Sequence, residues 1–114
     1  MIELIRARDY RESEIAVALS DDEPQRVLWR VALEHGELQV TSLEDEFAHD
    51  VEIITSTVRF VLDDDEIAFV YALEGEARAG DMFASSGDTL CVHADGGVSV
   101  ETTGRAAVVR ITPV

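Results

Sequence analysis

Apolar and β-branched residues come along this chain in short runs, broken by Gly, Asp and Ser. That is the pattern of strands and tight turns rather than of helices. Six segments carry it: Arg26–Leu33 (RVLWRVAL), Val51–Leu62 (VEIITSTVRFVL), Ile67–Leu73 (IAFVYAL), Asp88–His93 (DTLCVH), Gly97–Thr102 (GVSVET) and Arg105–Thr112 (RAAVVRIT). Turn signals fall between them in SDDEPQ, HGE, DDDE, LEGEARAG, SSGD, DGG and TTGR. A strand-plus-turn unit of about ten residues, with no long helical period, predicts an all-β sandwich or small barrel.

The alternation within a strand says how it is covered. In Val51–Leu62, Ile54, Val58, Phe60 and Leu62 dominate one parity, after a polar Glu52. The other parity holds Val51, Ile53, Thr55, Thr57, Arg59 and Val61. Apolar residues on both sides predict strands covered on two faces. Glu12–Ser20 (ESEIAVALS) is ambiguous between a strand and a short helix. In SLEDEF, Ser42 and Asp45 stand at capping spacing for one helical turn. Gly75, Gly80, Gly87, Gly96 and Gly97 read as turn glycines. Linkers, low-complexity segments and strong repeats are missing from the pattern, so residues 1–114 are expected to form one domain.

Composition narrows the partners. Hydrophobic residues make up 46% of the 114, enough for a real core. The 24 acidic residues outnumber the 9 basic ones, all of them Arg, for a net charge of −15. Such a field repels phosphate backbones and anionic lipid surfaces, so neither nucleic acid nor membrane is expected as a partner. With no apolar run long enough to span a bilayer, and an opening unlike a signal peptide, a cytoplasmic protein is expected. The single Cys91 leaves no internal disulfide.

From Phe69 onward, FVYALEGEARAGDMFASSGDTLCVHADGGVSVETTGRAAVVRITPV resembles the last strands of a cupin. MIELIRARDYR, LWRVALEHGE and FAHDVEIITSTVRFVL, in the same order, resemble segments of the HutD/Ves family of the cupin (RmlC-like) superfamily. The resemblance implies a small cupin-like β-barrel or jelly-roll sandwich. It also implies a link to histidine utilisation or stress response, by association only. The family's glycine-rich stretch does not follow RARDYR, and a central section is expected to be missing, so the chain reads as a shortened form. Asp50 matches the family's Asp, but Glu52 stands where an Asn is expected.

A metal-binding cupin supplies two His and a carboxylate from a first motif and a third His from a second. Anchored on Gly75, the first motif puts Ala68 at the carboxylate. Its His pair falls on Val61 and Asp63, or on Leu62 and Asp64. Anchored on Gly87, the second puts His93 at the proline, Asp95 at the glycine, Val98 at the histidine and Thr102 at the asparagine. No ligand position is kept, so no metal and no cofactor is expected there. His35, His49 and His93 lie on separate segments with no spacing that links them. DDDE (Asp63–Glu66) lacks the alternating pattern of a calcium loop and reads as a solvated hairpin tip.

Other chemistry is sparse. Cys91 and His93, two apart on one strand, share a face, with Leu90 and Val92 as the core-facing pair. A small buried thiol beside an incidental histidine is favoured there over a catalytic pair. Arg30, Arg59 and Arg110 sit mid-strand among apolar neighbours. Each either pairs with an acidic neighbour across the sheet or points inward to hold a small carboxylate ligand. Trp29 is expected in the core, or else in a pocket wall or dimer contact. Three functions follow. The favoured one is a metal-free, non-catalytic small-molecule-binding or accessory protein, with Arg30, Arg59, Arg110, His49 and Trp29 as ligand-binding candidates. The others are a metal-independent isomerase or epimerase with His49 or His93 as general base, and a homodimeric interaction module.

Overall fold

Ile67–Glu74 hardly alternates because it has a core on each side. In the computed structural model, which describes residues 2–10, 13–22, 26–93 and 96–114, this strand lies at the centre of three stacked sheets. The middle sheet has the antiparallel order β1 (Ile2–Ile5), β10 (Thr89–His93), β7 (Ile67–Glu74), β12 (Arg105–Pro113), β5 (Phe47–Ile54). On one face lies the order β6 (Val58–Leu62), β11 (Gly96–Thr102), β8 (Ala77–Ala79), β9 (Met82–Ala84). On the other lies the meander β2 (Glu14–Leu19), β3 (Val27–Glu34), β4 (Glu37–Ser42). The described chain is all-β, a sandwich of three antiparallel sheets.

Each face of the middle sheet builds its own core. Ala68, Val70, Ala72, Leu90, Val92, Ala106 and Val108 point toward β6, β11, β8 and β9. There they meet Leu62, Val98, Val100 and the small residues Ala77, Ala79 and Ala84. Phe69, Cys91, Val109 and Ile111 point the other way, onto Ile15 and Val31 of the meander. Trp29 joins this second core, its ring centroid 5.6 Å from that of Phe69 at a tilt of 56°, an arrangement aromatic pairs favour. Trp29 thus packs against the second core while only half-buried, and it also lines a shallow surface depression with Val27, Leu28 and Thr41. Cys91 is 5% exposed, so the expectation that Cys91 lies on the less apolar side of its strand is corrected: both sides are core.

Several expected elements shift. Val51–Leu62 is two strands in different sheets: β5 pairs with β12 and β6 with β11, and the chain changes layers at Thr55–Thr57. Glu14–Leu19 resolves the ambiguous segment as a strand. Ser42 caps nothing; its hydroxyl shares a 2.7 Å hydrogen bond with Nδ1 of His49, while the turn after it closes through Glu46 N–H donating to Leu43 carbonyl oxygen at 2.9 Å. DDDE is no hairpin tip. It links β6 to β7 in another sheet, and Glu66 is turned in at 8% exposure. Gly96 and Gly97 belong to β11. Gly75, Gly80 and Gly87 do take left-handed backbone, at φ of +72°, +56° and +93°. Glu12, the Glu23–Gln25 part of one expected turn and Asp95 of another lie outside the described residues.

Turn chemistry fixes the registers. His35 and Gly36, both at positive φ, form the two-residue link that joins β3 to β4 with Glu34 opposite Glu37. The turns after β7 and β11 clasp each other: Thr103 N–H donates to Glu76 carbonyl oxygen at 3.0 Å, and Glu76 N–H to Thr103 Oγ1 at 2.9 Å. Tyr10 ties the N-terminal arm to the turn before β10. Its hydroxyl lies 2.6 Å from both Gly87 carbonyl oxygen and Thr89 Oγ1, and burial pushes its pKa up to about 12.

Candidate functional site

Of the positions aligned with cupin metal ligands, Val61, Asp63 and Asp64 are exposed, and the others are hydrocarbon. Leu62, Ala68 and Val98 all lie in the core between the middle sheet and the β6–β9 layer, and such side chains cannot ligate a cation. Any binding chemistry therefore sits outside that interior.

The five ligand-binding candidates do not share one pocket. Arg30 lies on the outer side of the meander, its Nη2 at 2.9 Å from Glu14 and 3.9 Å from Glu34. Arg59 is exposed on the outer face of the β6–β9 layer, beside Gly97. Arg110 faces the other way, into the edge of the first core. Its Nη2 donates to Glu66 Oε2 and to Val61 carbonyl oxygen, both at 3.1 Å, and its guanidinium lies 5.6 Å from the Phe60 ring centroid. His49 sits one residue before Asp50, the cross-strand partner of Arg110, and so on the opposite face of the sheet. Trp29 packs, half-buried, against the second core. His35, His49 and His93 are all exposed.

Glu66 organises its loop. Its carboxylate accepts Asp63 N–H at 3.0 Å, Arg110 at 3.1 Å and Thr112 Oγ1 at 3.1 Å. The Asp63 backbone donor, with help from Thr112 and Arg110 and against the cost of burial, holds the Glu66 carboxyl below its usual range. The negative charge of Glu66 in turn raises the Asp63 side chain. Arg110 is thus engaged by its own chain as a staple.

A different arginine faces open space. Cross-strand register places Phe83, Arg78 and Glu101 in one row over the outer face of β9, β8 and β11. Arg78 Nη2 is 3.2 Å from Glu101 Oε2, and its guanidinium lies 5.8 Å from the Phe83 ring centroid. Phe83 is 56% exposed. Thr57, Thr102 and Thr103, with Ala77 and a second carboxylate, Glu76, complete an open groove of about 400 Å³ around Arg78, Phe83 and Glu101. A second depression of about 300 Å³, lined by Ile2, Gly80, Gly97 and Ser99, meets it at the same Arg78–Glu101 pair. Sequence reasoning passed over Arg78 because ARA gives no apolar strand around it. The signal was there in Phe83, an aromatic between Asp81 and Ser85 with no buried partner implied.

No protein-family model matches the sequence, and no curated protein matches it. Among solved structures, the chain is similar to HutD from Pseudomonas fluorescens SBW25, in a formate condition. The identity is 10%, the TM-score 0.65, and the superposition covers 100% of each chain. At that identity the likeness is one of fold: the three-layered all-β arrangement found here is the fold of HutD.

Proposed function

We propose that the protein is a non-catalytic, small-molecule-binding accessory protein whose ligand carries a carboxylate, held by Arg78 in the outer groove of the β6–β9 layer. The carrying observation is the row Phe83–Arg78–Glu101: an exposed aromatic face, a planar cation and hydroxyls converge on a groove of ligand size. Arg suits a carboxylate because its N–H donors form a fork that matches two oxygens. Phe83 offers an apolar wall, and Glu101 orients the guanidinium while leaving a partner for a cationic group on the same ligand.

The chain's acidic field opposes an anion, so recognition depends on the local charge of Arg78 within a screening length of about 8 Å at physiological salt. An open groove under that field favours modest affinity and rapid exchange, which suits a sensor or accessory role. Catalysis is disfavoured, since no histidine stands among the residues lining the groove and His49 lies on the opposite face from Arg110.

Calorimetric titration with acetate, benzoate and phenylalanine tests this. Benzoate and phenylalanine are expected to bind more tightly than acetate. Arg78→Gln should weaken them by about tenfold or more, the scale of a lost charge-assisted hydrogen bond. Equal heats for wild type and Arg78→Gln would remove the groove from the account.

A second reading rests on β5. This strand ends the middle sheet, and Val51 and Ile53 are 44% and 53% exposed on it. An apolar edge of this kind invites pairing with a second copy, which supports a homodimer.

A further inference from the structure

We infer that Glu3, Cys91 and His93 form a binding site for a borderline divalent cation, zinc before others, on the face of the middle sheet that carries the second core, at its exposed margin. Two strands assemble it. Cys91 and His93 are two apart on β10, so both project to one face, and Glu3 of β1 is the cross-strand partner of Cys91. Cys91 Sγ is 3.5 Å from His93 Nε2, and one ligand atom from each of the three residues lies within 4.8 Å of the others. A tetrahedral zinc with Zn–S of about 2.3 Å and Zn–N of about 2.0–2.1 Å sets its sulfur and nitrogen about 3.5 Å apart. The strand already holds that pair at the ligating distance.

The donor set selects the ion. Thiolate plus imidazole favours zinc and its first-row neighbours over magnesium or calcium, which take oxygen ligands. Thiolate and carboxylate together cancel a charge of two. On binding, the thiol proton leaves to solvent and the cation takes its place, so the buried sulfur is never an uncompensated anion. Glu3 and His93 are exposed, which gives the ion a route in, and three protein ligands leave a fourth position for water. The chain's net charge of −15 raises the local concentration of cations. None of this concerns the first core, where Leu62, Ala68 and Val98 lie, and the site stands whether or not the Arg78 groove binds a carboxylate.

The full chain, stripped with chelator and titrated with Co²⁺, gives the test. The expected result is one cobalt per chain, with a thiolate-to-cobalt charge-transfer band in the near ultraviolet that Zn²⁺ abolishes by displacement. Glu3→Gln and His93→Ala, at exposed positions, should each weaken binding by about tenfold or more, and Cys91→Ser should remove the band. Cobalt bound without a charge-transfer band is capture by surface carboxylates and overturns the inference. So does unchanged affinity in Glu3→Gln and His93→Ala, which remain informative even if the buried Cys91→Ser fails to fold.

Discussion

A buried carboxylate among apolar strands has to earn its place through its partners. Glu66 takes three donors, from Asp63, Arg110 and Thr112, and at 8% exposure it cannot draw replacements from water. Glu66→Ala takes the acceptor from the Asp63 N–H and the Thr112 hydroxyl, leaves Arg110 only the Val61 carbonyl, and should destabilise the fold by about 1–3 kcal/mol, as read from urea unfolding at pH 7. The sign with pH follows from the lowered folded-state pKa of this group. Its contribution is present above the unfolded carboxyl value of about 4.3 and is lost as pH falls through the folded value. The gap between wild type and Glu66→Ala should therefore hold steady near neutrality and close in acid. A gap independent of pH would show that Glu66 acts by packing alone. Arg110 drew attention in the sequence as a cation inside an apolar strand. Its partner did not, because Glu66 closes an acidic run that reads as solvated and gives no sign that its last member turns inward.

At the scale of elements, the two clasped turns hold the middle sheet to the β6–β9 layer. A Cβ on Gly104 would run into the carbonyl oxygen of Glu74, and one on Gly75 would lie 2.6 Å from Thr103 Oγ1. Both obstacles are close, but the first is backbone and cannot swing aside. Gly104→Ala should lower the thermal midpoint by several degrees, the shift expected for about 1–3 kcal/mol in a domain of this size. A midpoint within one degree of wild type would mean the turns give way freely. The two-face coverage expected of Val51–Leu62 is not found, since β5 is exposed from Ala48 to Ile53 and β6 leaves one face exposed; a core on each face belongs instead to β7 and β12, which are also apolar at both parities. The layer change at Thr55–Thr57 was not legible: a polar triplet inside an apolar run has the same period whether the strand continues or crosses to another sheet. β8 and β9 were missed because strands of three residues, rich in alanine and divided by Gly80, carry no period at all.

At the scale of the whole molecule, two apolar cores back to back leave edges to be managed. β5 ends the middle sheet with Val51 and Ile53 exposed. If a second copy covers them, light scattering at micromolar concentration should report a dimer for wild type and a monomer for the double variant Val51→Lys/Ile53→Lys. A monomeric wild type would leave this edge without that partner. The all-β class was readable from the order of apolar strands and Gly-Asp turns, and the likeness to HutD from the three segments that resemble its family; the expected shortened form was not borne out, since the superposition covers 100% of each chain. The groove was not readable, because it is made by a row across three strands that only register brings together: Phe83, Arg78 and Glu101.

That row carries the functional account, and its two charged members make opposite demands on it. Arg78 should attract a carboxylate, while Glu101 competes for the same guanidinium and repels the ligand. The most direct measurement is a benzoate titration of ¹⁵N-labelled protein, following the arginine Nε–H signals in wild type and in Glu101→Gln. The account predicts a saturable shift of the Arg78 signal, with binding tightened severalfold by Glu101→Gln. An Arg78 signal that stays still while benzoate is added, in both proteins, would contradict it.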